Sequence, residues 1–368
     1  MKRMSTRQAD LMRRCFELAA RGKGKVNPNP MVGCVIVKNG IVVAEGFHGW
    51  FGGPHAEISA LRRAGRNAHG ATLFVNLEPC AHHGKTPPCV DAIIKAGVRR
   101  VVAASADPNP LVSGKGAARL RRAGVEVRLG LLRREAERLN EQFFTFMRER
   151  IPFVGIKIAQ TLDGRIADAT GRSKWITSDE ARAEAHRIRS TYDAILVGAN
   201  TIVKDNPELT VRLVKGRNPL RVIVDGRLNV STRSRVFNTP GAKTIVFTSL
   251  RAVSSKRRKV SMLVQRRVPV LALGRSTRLN AAGMLHTLAA LGISSVLVEG
   301  GSATVSDFVG ARLARRIHCF IAPKLLGGGL SSLNLLPQLE LPVSISVHDL
   351  QWKKLGSDLL VEGLLQYA

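Results

Sequence analysis

Four side chains within the first hundred residues have the types and spacing of a catalytic zinc centre. His55 and Glu57 belong to the tetrapeptide P-H-A-E, and Cys80 and Cys89 each follow a proline. A catalytic zinc needs three protein ligands, an open fourth position for water, and a carboxylate that moves protons without binding the metal. We therefore predict that His55, Cys80 and Cys89 bind one Zn²⁺ per chain and that Glu57 is the general acid and base.

A structural zinc that only stabilises the first domain is the non-catalytic alternative. Such sites usually have four protein ligands. Here no fourth ligand is evident and a carboxylate, Glu57, is present near the ligands, which favours the catalytic interpretation. The two interpretations differ in whether a water molecule can exchange at the metal.

The spacing of the two cysteines separates small-molecule from nucleic-acid deaminases. Deaminases of nucleic acids and free nucleosides place the second cysteine three residues after the first, whereas eight residues, 81–88, separate Cys80 from Cys89. A nucleic-acid deaminase of the tRNA type is the alternative that the formal net charge of +30 suggests. Residues 1–150 hold 26 basic against 12 acidic residues, and the remainder holds 31 against 15, so the charge forms no basic arm.

Length and periodicity indicate an α/β protein of two domains. A chain of 368 residues exceeds the usual size of one hydrophobic core. Helical and strand patterns alternate along it, with Asn39-Gly40 predicting a tight hairpin and residues 133–148 predicting one charged helix. That helix ends before Pro152, so we predict domains at 1–150 and 151–368.

The sequence shows neither a secretory signal nor a membrane span. Residues 1–25 lack a continuous apolar segment, and no stretch reaches the roughly 20 apolar residues of a spanning helix. Five cysteines are too few and too unevenly spaced for a disulfide framework. The expected location is the cytoplasm.

Two longer motifs in the first half identify a family. The segment E-P-C-A-H-H-G-K-T-P-P-C at 78–89 and D-P-N-P at 107–110 resemble the deaminase half of the bifunctional riboflavin-biosynthesis deaminase/reductase. The resemblance implies a cytidine-deaminase-like α/β/α sandwich in which Asn29, His82 and Lys85 contact the pyrimidine and its ribose phosphate. From the residues alone, His82 and Lys85 fit an ordinary polar loop equally well.

Four segments of the second half combine polar residues with strand ends or helix starts. They are K-I-A-Q-T-L-D-G-R at 157–165, S-K-W-I-T-S at 173–178, G-A-N-T at 198–201 with its continuation to 212, and V-E-G-G-S-A-T at 298–304. Backbone amides at such positions can hold phosphates. A Gly-Gly turn by itself also fits mere close packing, and Trp175 fits a core position.

Together these segments resemble the reductase half of the same family. The resemblance implies a dihydrofolate-reductase-like α/β domain that uses NADPH to reduce a ribosylamino sugar to a ribitylamino one. It implies cofactor contacts at Ala159, Trp175, Thr201, Asp205, Gly226, Gly301, Ser302, Ala303, Thr304, Val305, Ser306 and Asp307, and substrate contacts at Ser173, Arg189, Leu209, Arg212 and Glu299.

The resulting hypothesis is a two-step enzyme with a small phosphorylated pyrimidine as its partner. Zinc-activated hydroxide would deaminate 2,5-diamino-6-ribosylamino-4(3H)-pyrimidinone 5′-phosphate, and NADPH would then reduce the ribosyl side chain. We expect no specific nucleic acid and no membrane partner, and a homo-oligomer is compatible with the sequence. Arg315-Arg316 stand where the family usually has an acidic pair, so this departure concerns surface contacts.

Overall fold

A computed structural model describes residues 6–81, 87–110, 112–334 and 338–368 of the chain. It divides into two compact units, Met1–Arg150 and Ile151–Ala368. Within the described residues, no helix is both long enough and apolar enough to cross a bilayer. His82 and Lys85 lie outside the described residues.

The first unit alternates helices and strands. Its helices are α1 (Thr6–Ala20), α2 (Ala56–Ala64), α3 (Cys89–Lys95), α4 (Lys115–Arg122), α5 (Arg133–Leu139) and α6 (Glu141–Glu149). Its strands are β1 (Gly33–Lys38), β2 (Ile41–Phe47), β3 (Thr72–Val75), β4 (Arg100–Ala103) and β5 (Glu126–Leu129).

These strands form one sheet with helices on both faces. The order in the described part is β2-β1-β3-β4-β5, with β1 antiparallel to β2 and β3 and the last three strands parallel. Alternate side chains of β1 point to opposite faces: Ile36 packs in a core with α2 and α3, and Val35 packs in a second core with α1. The result is an α/β/α sandwich.

Two local predictions for this unit have different outcomes. The hairpin is confirmed, since Asn39 and Gly40 both have positive φ between β1 and β2. The single helix over 133–148 is wrong, because Asn140 separates α5 from α6. The side chain of Asn140 accepts a hydrogen bond from the Met31 N–H (2.8 Å) and donates to the Met31 carbonyl (2.9 Å). This tertiary contact replaces the continuous helix that the apolar spacing predicted.

The second unit is larger. Its strands are β6 (Phe153–Thr161), β7 (Arg165–Ala167), β8 (Ala194–Gly198), β9 (Leu220–Val224), β10 (Thr244–Thr248), β11 (Val270–Ala272), β12 (Ser295–Val298), β13 (Arg316–Ala322), β14 (Leu330–Ser331), β15 (Ser346–Leu355) and β16 (Asp358–Gln366). Its helices are α7 (Asp179–Arg189), α8 (Ala199–Asp205), α9 (Arg235–Asn238), α10 (Leu250–Ser255), α11 (Arg257–Gln265), α12 (Ala281–Ala290) and α13 (Ser302–Gly310).

Its main sheet is parallel except at one end. In the described residues the order is β11-β10-β9-β8-β12-β6-β13-β16-β15, and only β16 and β15 run antiparallel to their neighbours. The central strands are continuous apolar runs because helices cover both faces. The carboxyl ends of the parallel strands therefore share one edge, where open α/β sheets bind ligands.

Candidate functional site

The predicted zinc ligands converge in the first unit. His55 is the N-cap of α2, Cys89 begins α3, and Cys80 follows the loop after β3. Their ligand atoms lie within 4.8 Å of one another, with His55 Nδ1 3.1 Å from Cys89 Sγ and 3.6 Å from Cys80 Sγ. Zn–S and Zn–N bonds of about 2.3 and 2.0 Å place tetrahedral ligand atoms roughly 3.5 Å apart. The three residues therefore fit a zinc ion.

Charge within the cluster suits a cation. Hydrogen bonds with Cys89 and His55 lower the pKa of the Cys80 thiol to about 4, against the effect of burial. Cys80 Sγ also accepts a hydrogen bond from the Cys89 N–H at 3.3 Å. A thiolate is the form of cysteine that binds metals, so this cluster is prepared to take a positive ion.

Glu57 lies beside the ligands in the first turn of α2, and it is buried. Burial, together with the negative charge of Cys80, raises the pKa of Glu57 to about 7. A carboxyl group with this pKa can both accept and donate a proton near neutral pH. Within the described residues, Glu57 is not one of the converging metal ligands.

Asn29 lies next to a histidine that the sequence reasoning did not assign. His48 Nδ1 donates to the Pro54 carbonyl at 3.0 Å, so its Nε2 accepts from the Asn29 amide at 3.2 Å. The His48 ring makes an edge contact with the ring of His55, with centroids 5.6 Å apart. Burial lowers the pKa of His48, in agreement with a neutral imidazole. The interaction leaves the Asn29 carbonyl oxygen as an acceptor.

Glu78 is a second residue that the sequence reasoning missed. Its buried carboxylate accepts hydrogen bonds from the backbone N–H groups of Asp107 (3.3 Å), Gly114 (2.9 Å) and Ala117 (2.9 Å). These bonds fix the chain just before Cys80 to the start of α4. Glu78 therefore positions the predicted metal ligand Cys80 through the backbone. No local sequence pattern indicates this role, because the partners of Glu78 lie 29 to 39 residues further along the chain.

In the second unit, Arg189 and Glu299 form a buried ion pair. Arg189 Nε and Nη2 each donate to a different Glu299 oxygen at 2.9 Å, and Nη1 donates to the Thr210 carbonyl at 2.6 Å. Burial alone would raise the pKa of Glu299, but Arg189 outweighs it and holds the pKa at about 2. Through these bonds, which use three of its five N–H donors, Arg189 orients Glu299.

Three further groups surround this pair. The Arg212 N–H donates to His186 Nδ1 at 3.1 Å, and burial lowers the pKa of His186 to about 4, with Arg189 and Arg212 adding to the effect. Burial also lowers the pKa of Lys157, which the sequence reasoning left unassigned. The Arg212 side chain is about half exposed, so this guanidinium is accessible to a ligand.

The Gly300-Gly301 turn lies at the carboxyl end of β12. A Cβ at Gly300 would lie 2.6 Å from Thr304 Cβ, and one at Gly198 would lie 2.6 Å from Thr304 Oγ1. The Gly301 N–H donates to Thr201 Oγ1 at 3.3 Å. The buried Ser302 hydroxyl has no hydrogen-bond partner in the described part of the chain. This polar atom at the start of α13 fits a bound phosphate group.

The other predicted cofactor residues divide into two groups. Val305 packs in the core, Ser306 Oγ accepts from the Asn334 N–H at 2.8 Å, and Asp307 pairs with Arg278 at 2.6 Å, so their side chains are engaged within the protein. The positions closer to the sheet edge are Ala159 on β6, Thr201 and Asp205 on α8, Gly226 after β9, and Ala303 and Thr304 on α13.

The remaining positions are on loops. The Ser173 hydroxyl donates to Asp205 at 3.3 Å, and Trp175 is exposed beneath the guanidinium of Arg182, 4.2 Å from its ring centroid. Trp175 is thus not a core residue. Leu209 is buried in the left-handed backbone conformation. Among the described residues, no hydrogen bond joins Ser173, Trp175 or Leu209 to the Gly300-Gly301 turn.

Comparisons with known proteins give a separate family match for each half of the chain. Residues 5–105 match the cytidine and deoxycytidylate deaminase zinc-binding region, and residues 152–361 match the RibD C-terminal domain. The chain is 46% identical over 351 residues to riboflavin biosynthesis protein RibD of Aquifex aeolicus, covering 95% of this chain and 96% of that one. It is 40% identical to the RibD protein of Escherichia coli, covering 89% and 91%.

Solved structures give the same result. A diaminohydroxyphosphoribosylaminopyrimidine deaminase/5-amino-6-(5-phosphoribosylamino)uracil reductase from Thermotoga maritima superposes with a TM-score of 0.85 at 42% identity, covering 98% of this chain and 99% of that one. Acinetobacter baumannii RibD gives a TM-score of 0.87 at 36% identity, with coverages of 98% and 99%.

These findings confirm the predicted fold classes, the two enzyme activities and the cofactors Zn²⁺ and NADPH. They do not favour the alternative of a nucleic-acid deaminase. The match extends over both units and almost the whole length of the relatives. The chain therefore belongs to the RibD family of bifunctional riboflavin biosynthesis enzymes, which join a zinc-dependent deaminase to a reductase.

Proposed function

We propose that the first unit deaminates 2,5-diamino-6-ribosylamino-4(3H)-pyrimidinone 5′-phosphate and that the second unit reduces the ribosyl side chain of the product. The observation that carries the first step is the convergence of His55, Cys80 and Cys89 beside the buried carboxyl of Glu57. The name of the Thermotoga maritima relative supports the order of the two steps.

In the deamination, water adds to the amino-bearing ring carbon and ammonia leaves as the carbonyl group forms. When bound by His55, Cys80 and Cys89, zinc supplies a water molecule of lowered pKa. Glu57 accepts a proton from the water and donates it to the departing amino nitrogen. Its pKa of about 7 suits both transfers, because neither protonation state is strongly disfavoured near neutral pH.

Substrate binding in the first unit involves Asn29, His82 and Lys85. His48 holds the Asn29 amide by accepting from its NH₂ group, so the Asn29 oxygen is available to accept from an amino or ring N–H of the pyrimidine. The cation of Lys85 complements the ribose phosphate. Residues 82–86 lie outside the described residues, so their part of the proposal rests on the family motif.

In the second unit, Glu299 and Arg212 bind the sugar phosphate, with Ser173 and Leu209 at the border of this site. The Arg189 ion pair fixes the Glu299 carboxylate, which can accept hydrogen bonds from sugar hydroxyls. The accessible guanidinium of Arg212 suits the phosphate. Arg189 acts mainly as a positioning residue, because three of its five N–H donors bind Glu299 and Thr210, and its two other N–H groups can still contact the substrate.

NADPH binds along the carboxyl edge of the central strands. The close approaches at Gly198 and Gly300, the free hydroxyl of Ser302 and the start of the nine-residue helix α13 support a pyrophosphate position there. When bound, NADPH supplies hydride to the sugar carbon attached to nitrogen. Trp175 is exposed, its carbonyl accepts a hydrogen bond from Lys324 just beyond β13, and its ring offers a flat surface for the cofactor.

The decisive experiment supplies purified protein with the diaminopyrimidine ribotide and NADPH. We expect ammonia release followed by NADPH oxidation. Glu57→Gln should abolish ammonia release while zinc content, measured by mass spectrometry, stays at one ion per chain. The same variant, given the deaminated ribotide directly, should oxidise NADPH at the wild-type rate. Ammonia release at the wild-type rate by Glu57→Gln would disprove the assignment of the proton carrier.

We also propose that the partners are small molecules and further copies of the chain. The basic residues are spread over both halves, which suits attraction of anionic substrates better than a nucleic-acid groove. The edge strand β15 exposes Val347, Leu350 and Trp352, and this apolar edge supports self-association. Light scattering should give a mass above 39.9 kDa, and Trp352→Lys should lower it toward that value. Salt-resistant binding to RNA would contradict the proposal that the partners are small molecules rather than nucleic acids.

A further inference from the structure

One continuous segment of the second unit carries most of that unit's excess positive charge. Residues 226–298 contain thirteen arginines and lysines and no aspartate or glutamate. The rest of residues 151–368 holds 18 basic and 15 acidic residues, so it is close to neutral. Charge of one sign raises the local concentration of counter-ions, and this segment therefore attracts anions.

A surface cavity of about 540 Å³ lies within this segment, between α11 and the residues that follow β9. Its lining consists of four consecutive cations at 256–259, four side chains with hydroxyl or amide groups, and Met262. None of these lining residues is acidic or aromatic, and none belongs to the sites proposed above. The volume is in the range of cavities that bind small molecules.

The cavity follows the length of α11. At the start of this helix, Lys256 Nζ donates to Asn229 Oδ1 at 2.6 Å, and just after its end Arg266 Nη1 donates to the Thr232 carbonyl at 2.8 Å. Nine helical residues span roughly 13 Å. Leu263 of the same helix is buried in a core that residues of β9 and β10 share. The cavity therefore extends along the helix layer that covers one face of the sheet, rather than across the strand ends.

Two of the four cations are held by the protein and two are not. Lys256 Nζ donates to the carbonyl oxygens of residues 227 and 228 at 2.9 and 3.3 Å, and Lys259 Nζ donates to that of 228 at 2.8 Å. Arg257 and Arg258 are exposed, and among the described residues neither side chain makes a hydrogen bond or ion pair. The lysines thus fix the wall of the cavity, and the two guanidinium groups are available to a ligand.

These cations also lie at the electrostatically unfavourable end of α11. Arg257, Arg258 and Lys259 form its first turn, where the backbone N–H groups carry partial positive charge, and this turn has no acidic residue. Burial lowers the pKa of Lys259, and the charge of Lys256 adds to the effect. A bound anion would offset the repulsion among these groups.

We propose that this cavity binds a small molecule that carries two phosphate groups. Each of the two arginine forks can bind one phosphate through parallel N–H donors. The hydroxyl groups of Ser231, Thr232 and Ser255 can bond to the polar body of such a ligand. Single-stranded nucleic acid fits less well, because its bases stack on aromatic side chains and the lining has none.

The test compares fructose 1,6-bisphosphate with fructose 6-phosphate, which has one phosphate group fewer, by calorimetry on the zinc-loaded full chain. Saturating NADP⁺ is present, so that the cofactor site is occupied. The wild type should bind the bisphosphate at least about tenfold more tightly, as expected for one further charge-assisted contact. Arg258→Gln should remove most of this preference, and so should Arg257→Gln. Both variants should release ammonia and oxidise NADPH at the wild-type rates.

Arg267→Gln is the matched control, because it removes an exposed arginine two residues beyond the end of α11 and outside the cavity lining. It makes the same change of charge and should keep the preference for the bisphosphate. Circular dichroism melting should show that all three variants fold.

Four results would overturn the proposal. Equal or undetectable binding of the two sugars by the wild type would show that the cavity does not select two phosphate groups. Equal losses in Arg258→Gln and Arg267→Gln would mean that general charge attracts the anion. Binding that appears only without NADP⁺ would assign the phosphates to the cofactor site, and displacement by ribose 5-phosphate would assign them to a substrate phosphate site.

Discussion

The sites in the two units depend on different structural features. In the first unit, three side chains of uncommon type meet within 4.8 Å around a buried carboxyl, so chemical identity defines the site. In the second, the site that we propose rests on close approaches of Gly198 and Gly300 to Thr304 and on one buried ion pair. Activity at the first site should therefore be lost when a single ligand atom is removed. Activity at the second should be lost when a glycine gains a side chain or when the ion pair is broken.

Removing one metal ligand should give the largest effect. Cys89→Ala leaves two ligands, so zinc should be lost and deamination should fall by at least about a thousandfold. Reduction of the deaminated ribotide should persist. Cys15→Ala, which removes a buried thiol from the same unit, is the control and should keep its zinc. Measured zinc content and ammonia release check both variants, and full zinc occupancy in Cys89→Ala would refute the ligand set.

Breaking the buried ion pair should give the next largest effect. Arg189→Met leaves the buried Glu299 without its hydrogen-bonded ion-pair partner, which costs about 3–5 kcal/mol of folding free energy and should abolish reduction. Arg187→Met, on the same helix, removes an exposed guanidinium from Glu184, which keeps Lys353 as a partner, and should change the unfolding free energy by less than about 1 kcal/mol. Urea unfolding measures the free energy of unfolding. Equal losses of stability in the two variants would show that the buried pair is worth no more than the exposed one.

Glu78→Gln should sharpen the comparison within the first unit. Glu78 touches no metal ligand directly, but it fixes the chain before Cys80 through three backbone bonds. Weakening these bonds should lower zinc affinity about tenfold, as for other residues that orient ligands. Chelator competition measures the affinity. A loss of deamination at saturating zinc and full occupancy would instead indicate direct contact with the substrate.

The smallest effect should be a dependence of stability on pH in the second unit. His186 faces Lys157, Arg189, Arg212 and Glu299, and its folded pKa of about 4 lies below the unfolded value of roughly 6.5. The unfolded state therefore binds more protons between these values, and the unfolding free energy should fall as the pH drops from about 6.5 to about 4. His186→Gln should flatten this part of the profile in urea titrations, and an unchanged slope would contradict the assignment.

The sequence predicted the parts of the site that depend on residue type. His55, Glu57, Cys80 and Cys89 were recognisable because few arrangements of these side chains serve any other chemistry. Roles that depend on distant partners were not visible: Glu78 and Asn140 act through backbone groups at least 29 residues away. The pairing of β7 with β14 was also not predictable, because neither short segment has the alternation of apolar and polar residues that indicates a strand.

The sequence also does not show which charged side chains are already hydrogen-bonded within the protein. The family resemblance predicts that Arg189 contacts the substrate, and the fold adds that three of its five N–H donors bind Glu299 and Thr210. Only the fold shows which guanidinium groups are occupied and which, such as that of Arg212, are accessible. A list of cations in a sequence therefore overestimates the cations available to a ligand.

Gly198 and Gly300 have a consequence for mutational scanning. Neither has a side chain to present, yet any larger residue at either position would press into Thr304 at 2.6 Å. A map of tolerated substitutions should therefore mark them as intolerant as Glu57, although they perform no chemistry. If the proposed cofactor position is right, the positions in this unit that tolerate no substitution will outline the space that the dinucleotide needs.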